Sequence, residues 1–282
     1  MYVSMKNMLE KANVENYAVM AINCFNLETI RSVITAAEQE NAPIIINLYQ
    51  EHLLQHCDSE LVTPMVKTLA GRSKINVALN FDHGQEIIDL KKAIDDGFSS
   101  VMVDASLYSF EENVLMTREI VNYAHPRGVC VEGEIGCIGA VDGENFTSDS
   151  MYTNPDQVEE FIKNTGIDVL AISIGSSHGT YPDGMIPDFD FERLKKIKAL
   201  VKIPLVLHGG SGSGKKNILT CVKHGINKIN VGCDFMQANI NAARAALSDP
   251  VINFFDFIKT VEKESNNIVK QYIRLSGSAN KN

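Results

Sequence analysis

Three histidines stand where apolar runs give way to polar residues: His83 after the run 76–82, His178 after Gly175-Ser176-Ser177, and His208 after Leu205-Val206-Leu207. Any one of them alone reads as a hydrogen-bonded structural residue. Three imidazoles converging on one axis can hold Zn2+ or a similar ion and leave positions open for substrate oxygens, which is what Lewis-acid chemistry requires. The polar partners follow the same habit. Asp82 directly precedes His83, Asp104 ends another run, Glu132 and Glu134 share a third, and Asn230 and Asp234 lie in the last. Asp82 is the candidate for proton transfer, because a direct neighbour of a ligand stands within reach of a metal-bound substrate. Asp104 and Glu134 fit either as metal ligands or as hydrogen-bond partners that orient them. His52, His56, His125 and His224 fall in expected helices or turns and read as packing or surface residues.

A second chemical feature is the stretch 209–216, Gly-Gly-Ser-Gly-Ser-Gly-Lys-Lys. It follows an apolar run and opens a helical pattern, so its amides can cradle a phosphate at a positive helix end. It approaches a Walker loop, but Lys216 occupies the place where Ser or Thr would hold Mg2+, so nucleotide hydrolysis is not expected.

The elements that must position these residues are short apolar runs at 17–24, 43–49, 76–82, 100–105, 129–136, 169–175, 204–209 and 228–234. Ile44-Ile45-Ile46 and Leu170-Ala171-Ile172 are continuous rather than alternating, as in parallel strands covered on both faces. Between the runs lie helical periods such as Leu27, Ile30, Ile34 and Ala37, with Asn26 and Asp190 placed to cap two of them and Gly97 and Gly128 placed to stop others. Eight strand-helix pairs without a linker predict a (β/α)8 barrel with an additional C-terminal helical segment, residues 1–282 forming one domain. An open doubly wound sheet shares this local alternation. The connection 138–153 is the longest expected loop, and such a loop in a compact domain often serves as a lid.

Composition narrows the function. The chain is 45% hydrophobic and 22% charged, ordinary globular usage. A formal charge of −9 with basic residues at most in pairs, such as Lys195-Lys196, excludes a nucleic-acid partner. The six cysteines form no C-x-x-C pair and indicate a reducing compartment. Residues 1–15 show no signal peptide, and no segment nears the roughly eighteen apolar residues of a membrane span, so the expected location is cytoplasmic, without a membrane partner.

The chain resembles the class II, metal-dependent ketose-bisphosphate aldolases, the family of the fructose- and tagatose-bisphosphate aldolases. The resemblance rests on Phe81-Asp82-His83-Gly84, Asp104-Ala105-Ser106, Val131-Glu132-Gly133-Glu134-Ile135-Gly136, Gly175-Ser176-Ser177-His178-Gly179, Leu207-His208-Gly209-Gly210-Ser211-Gly212 and Lys228-Ile229-Asn230-Val231. It implies that His83, His178 and His208 ligate Zn2+, with Glu134 and Asp104 near an alternate metal position and a monovalent cation as a companion. It implies further that Asp82 moves the C4-hydroxyl proton of a ketose 1,6-bisphosphate, releasing dihydroxyacetone phosphate and an aldehyde such as glyceraldehyde 3-phosphate. The C1 phosphate would be gripped by Gly179, Gly209, Ser211, Asn230 and Cys233, and Asn23 is a further substrate contact. An acid on the loop after the fifth strand completes the set: Asp142 aligns where the family usually has Glu, with Glu144 close behind. A homodimer or homotetramer is implied.

Several positions depart from the family. Tyr49 stands where many members have Ser, Cys233 where Thr is common, Pro182 follows Tyr181 where Lys is frequent, and Val251 follows Asp249-Pro250 where Arg is familiar. These departures leave open an aldolase of the same mechanism acting on a ketose 1-phosphate without the second phosphate. A metal-dependent hydrolase is disfavoured, since Ala21-Ile22-Asn23-Cys24 lacks the His-x-His pair common at the end of a first strand. A non-catalytic sugar-phosphate-binding barrel would tolerate loss of Asp82 or a ligand, and all are present.

Overall fold

The structure is a computed structural model that describes residues 1–141, 146–182 and 184–282. The apolar runs form parallel strands β1 (Val19–Asn23), β2 (Ile44–Tyr49), β3 (Val77–Gly84), β4 (Ser100–Val103), β5 (Cys130–Ile135), β6 (Val169–Ile172), β7 (Leu205–Leu207) and β8 (Ile226–Val231). Neighbours in sequence pair in space, and β1 returns to β8 with Val19 opposite Lys228 and Ala21 opposite Asn230, so the sheet closes into a barrel. The last apolar run predicts a strand that reaches residue 234. It stops at Val231 instead, because the chain turns at Gly232 and Cys233 and Asp234 already open a helix.

The helices are α1 (Met5–Glu15), α2 (Leu27–Gln39), α3 (Gln50–Gln55), α4 (Ser59–Arg72), α5 (Ile87–Asp96), α6 (Phe110–Ala124), α7 (Pro155–Thr165), α8 (Phe191–Leu200), α9 (Lys215–Lys223), α10 (Cys233–Ala246) and α11 (Phe254–Leu275). Their ends follow the expected chemistry. Asn26 accepts from the Thr29 amide at 3.0 Å and Asp190 from that of Arg193 at 2.8 Å, while Gly97 and Gly128 close their segments with positive φ.

Strand alternation divides the apolar residues into two clusters. Outward residues such as Ile22, Ile44, Leu79 and Val131 meet the helices, while inward ones such as Ala21, Ile45, Ala78, Met102 and Val206 fill the barrel. The amino-terminal end of the barrel is plugged by α1, whose Met5, Met8, Leu9 and Ala12 recur at helical spacing and join the inward cluster. Met5 and Leu9 are fully buried, each stabilising the fold by roughly 1.5–3 kcal/mol. The opposite end, where the strands finish, is left to polar residues.

The C-terminal helix α11 lies against α10 and α2. Ser32 donates to the Glu262 carbonyl at 2.9 Å and Arg31 pairs with the Glu262 carboxylate, fastening the helix to α2. Tyr272 donates from its hydroxyl to Asp234 at 2.6 Å, which braces the start of α10 beside the glycine-rich stretch.

Candidate functional site

An alternating strand cannot ordinarily aim two consecutive side chains at one cavity. At the end of β3 the register against β4 shifts between Phe81 and Gly84, and His83 takes a positive φ of 53°. That bulge turns both Asp82 and His83 toward the barrel mouth. Gly84 is needed beside it, because a Cβ there would lie 2.4 Å from Leu90 Cδ2.

The three histidines meet. Ligand atoms of His83, His178 and His208 all lie within 4.8 Å of one another, and the ring centroids of His83 are 4.8 Å from His178 and 4.6 Å from His208. The outer nitrogens of His83 and His208 are committed. His83 Nδ1 is 2.8 Å from Asp104 Oδ2 and His208 Nε2 is 2.8 Å from Glu132 Oε1, so each carboxylate accepts a ring proton. The inner nitrogens, His83 Nε2 and His208 Nδ1, then face each other at 2.9 Å. Two nitrogens bound to one tetrahedral Zn2+ stand about 3.3 Å apart, so the donor set suits such an ion.

The electrostatics favour a cation here. Burial alone would lower the pKa of His83, but Asp82, Asp104 and Glu134 outweigh it and raise it to about 9. Burial, reinforced by His83, pushes His178 and His208 well below the ordinary imidazole value, which keeps both rings neutral and able to ligate. Asp104 resists the upward pull of burial through its bonds from His83 and Ser106 and stays well below the usual carboxylate range. Glu134 is pushed far up by burial and then by Asp104, and its Oε2 is buried without a hydrogen-bond partner among the described residues. A carboxyl so placed fits a cation as partner.

Other expected residues border this centre. Asp82, 2% exposed, accepts from Asn230 Nδ2 at 3.0 Å, and the same amide nitrogen lies 3.2 Å from His208 Nδ1. His178 is held through its backbone: its amide donates to Gly139 at 2.8 Å and its carbonyl accepts from Val141 at 2.7 Å. The root of the loop after β5 is thus fixed against the centre, while Asp142 and Glu144 lie outside the described residues. The glycine-rich stretch meets β8, where Ser211 Oγ accepts from the Gly232 and Asp234 amides at 3.2 Å each. Gly209 has φ +64° and a Cβ would sit 2.5 Å from the Ser177 carbonyl oxygen, so only glycine lets the two connections touch. Gly179 abuts Val141, Asn23 abuts Gly232, and Cys233 follows at the start of α10. Sequence reasoning did not assign the pair Glu132 and Lys228. Both are fully buried, with Lys228 Nζ 2.7 Å from Glu132 Oε2. Period-two alternation from Glu134 and Asn230 turns each of them inward but does not make them partners. Tyr49, in sequence only a departure from the family, places its ring 5.8 Å from that of His83, with His52 and Phe25 packed in series behind it.

A closed (β/α)8 barrel whose strand ends gather three imidazoles and an amide-rich corner has the makings of a metal-dependent enzyme acting on a phosphorylated substrate. The chain matches the family model for class-II fructose-bisphosphate aldolase over residues 3–281, and it belongs to that family of metal-dependent aldolases. It is 41% identical over 257 residues to a fructose-bisphosphate aldolase of Geobacillus stearothermophilus, covering 90% of this chain and 88% of that one. A fructose-bisphosphate aldolase of Helicobacter pylori is 35% identical over 308 residues and the whole of both chains. Among solved structures, the YdjI aldolase from Escherichia coli K12 superposes with a TM-score of 0.89 at 32% identity, covering 100% of this chain and 99% of that one.

Proposed function

We propose that the chain, read as one domain of residues 1–282, cleaves a ketose 1,6-bisphosphate of the fructose or tagatose type into dihydroxyacetone phosphate and an aldehyde such as glyceraldehyde 3-phosphate. Its metal is Zn2+, held by His83, His178 and His208, with Glu134 and Asp104 beside an alternate position and a monovalent cation as companion. The observation that carries this reading is the convergence of the three ligand nitrogens, two of them oriented by carboxylates. When bound, the ion supplies Lewis acidity that lowers the cost of negative charge on the ketose carbonyl oxygen.

The protein's own groups do the rest. Asp82, steadied by Asn230, takes the proton of the C4 hydroxyl as the C3–C4 bond breaks. The acid after β5, Asp142 with Glu144 behind it, returns a proton to C3 of the departing three-carbon fragment. Gly179, Gly209, Ser211, Asn230 and Cys233 hold the C1 phosphate at the β7–β8 corner, and Asn23 closes that corner from β1. Tyr49, whose phenol is kept protonated by burial and then by Glu51 and Asp82, offers a hydroxyl donor on the other side. The working form is a cytoplasmic homodimer or homotetramer. Among the described residues no helix is long and apolar enough to cross a membrane.

The test is a retro-aldol assay that detects dihydroxyacetone phosphate from fructose 1,6-bisphosphate with and without a chelator. Activity lost on chelation and restored by Zn2+ is expected; activity that survives complete metal removal would refute the proposal. Asp82→Ala should retain metal yet lose most turnover.

A further inference from the structure

The three candidate ligands are not supported alike. His83 and His208 each give a ring proton to a carboxylate, Asp104 and Glu132, at 2.8 Å. The ring of His178 has no hydrogen-bond partner among the described residues and stands edge-on to the other two rings, with centroids 4.8 and 6.0 Å away. An imidazole without such a partner must take its orientation from the backbone that carries it.

That backbone is held through a hydroxyl on another connection. His178 donates its amide to the Gly139 carbonyl at 2.8 Å and accepts from the Val141 amide at 2.7 Å. Gly139 in turn donates its own amide to Thr147 Oγ1 at 2.7 Å. The same hydroxyl donates to the Ser176 carbonyl at 2.6 Å and accepts from Ser177 Oγ at 3.1 Å. The Thr147 amide donates to Ser177 Oγ at 2.9 Å. One donated and two accepted bonds are all that a hydroxyl can make. Thr147 thus joins the residue that holds the His178 amide to the two residues that precede His178 in the chain. Ser176 and Ser177 are buried, so a lost partner there is replaced by water only if the two connections move apart. Thr153 also ties these connections, through Ser173 just past β6, and so fixes where they start rather than where His178 stands.

We propose that Thr147 is a positioning residue for the metal ligand His178, its hydroxyl doing through the backbone what Asp104 and Glu132 do at the rings of the other two. The inference rests on the reading of the three histidines as metal ligands and adds the support of the third.

The experiment measures the Zn2+ dissociation constant of the full chain by competition with a chromophoric chelator, for the parent, Thr147→Val and Thr147→Ser. Valine keeps the shape of the side chain and replaces the hydroxyl with a methyl group, whereas serine keeps the hydroxyl. Thr147→Val should bind Zn2+ about tenfold more weakly, and Thr147→Ser should stay within about threefold of the parent. The visible spectrum of the Co2+-loaded chain should change in Thr147→Val and return in Thr147→Ser, which a loss of fold stability alone would not produce. A valine variant within about threefold of the parent, or a serine variant as weak as the valine one, overturns the proposal. Ser177→Ala takes away the acceptor of the Thr147 amide and leaves the backbone bonds of His178 in place. It should weaken Zn2+ in the same direction, and an unchanged constant overturns the proposal whether or not the valine variant folds. His178→Ala separates the two readings. If it binds Zn2+ as tightly as the parent, the metal reading itself falls and this inference with it, whereas a loss in His178→Ala beside an unchanged Thr147→Val overturns only the present inference.

Discussion

Lys228→Met isolates the buried pair beneath the metal centre. Lys228 Nζ and Glu132 Oε2 stand 2.7 Å apart with both side chains 0% exposed, and Glu132 Oε1 also accepts from His208 Nε2 at 2.8 Å. At an effective dielectric of about 20 their attraction is roughly 6 kcal/mol, but burying each charge costs several kcal/mol, so the intact pair is close to balanced. Methionine removes the compensation and leaves Glu132 buried beside a histidine, which should cost about 3–5 kcal/mol. Adding Glu132→Gln removes the stranded charge, so the double variant should regain at least half of the loss. Urea unfolding with chelator present reads both values without a metal contribution to stability. A double variant no more stable than Lys228→Met would refute this account, because the destabilisation would then come from lost packing. Glu132→Gln should also weaken metal binding about 10–100-fold, since an amide holds the His208 tautomer less firmly.

Three further perturbations test other parts of the frame. Gly209→Ala places a methyl 2.5 Å from the Ser177 carbonyl oxygen at a positive φ, so turnover should fall at least tenfold while circular dichroism stays barrel-like. Asn26→Ala removes the side-chain acceptor for the Thr29 amide while keeping the backbone amide that donates to Thr29 Oγ1, and should cost about 1 kcal/mol in urea without changing kcat. Burial would raise the pKa of Asp168, yet bonds from Lys6, the Val131 amide and His125 hold it below its ordinary value. A carboxylate depressed in the fold stabilises above its unfolded pKa of about 3.9 and loses that contribution as pH falls through the folded value. Asp168→Asn should therefore be less stable than the parent at pH 7, with the difference shrinking below about pH 4 in parallel urea titrations.

The barrel was readable because burial on both faces leaves parallel strands almost continuously apolar, as in Ile44-Ile45-Ile46, and because each helix between them carries its own period and cap. The last strand misled at its end for the same reason: Val231, Gly232 and Cys233 keep the run apolar, and nothing local shows that Gly232 turns the chain into α10. The plug α1 shows its spacing in Met5, Met8 and Ala12, but only closure of the barrel creates the cavity that those residues fill. The partnership of Glu132 with Lys228 joins residues 96 positions apart, a relation decided by which strands stand across the barrel and invisible to any local pattern.

The site itself divides along the same line. Residue types announced it, since polar groups at the ends of apolar runs are out of place unless they do chemistry, and all three histidines arrive at one point. What types alone could not convey is how Asp82 and His83 both face inward, for a regular strand would send one of them outward among the helices. The register shift after Phe81 and the φ of +53° at His83 resolve the conflict at a backbone cost of order 1–3 kcal/mol. Asp104, Asn230 and the packing of Leu90 over Gly84 hold the strained turn in place. Local preference therefore yields at the residue pair to which both metal binding and proton transfer are assigned. A straight β3 would satisfy its own backbone and separate the base from the ligand beside it.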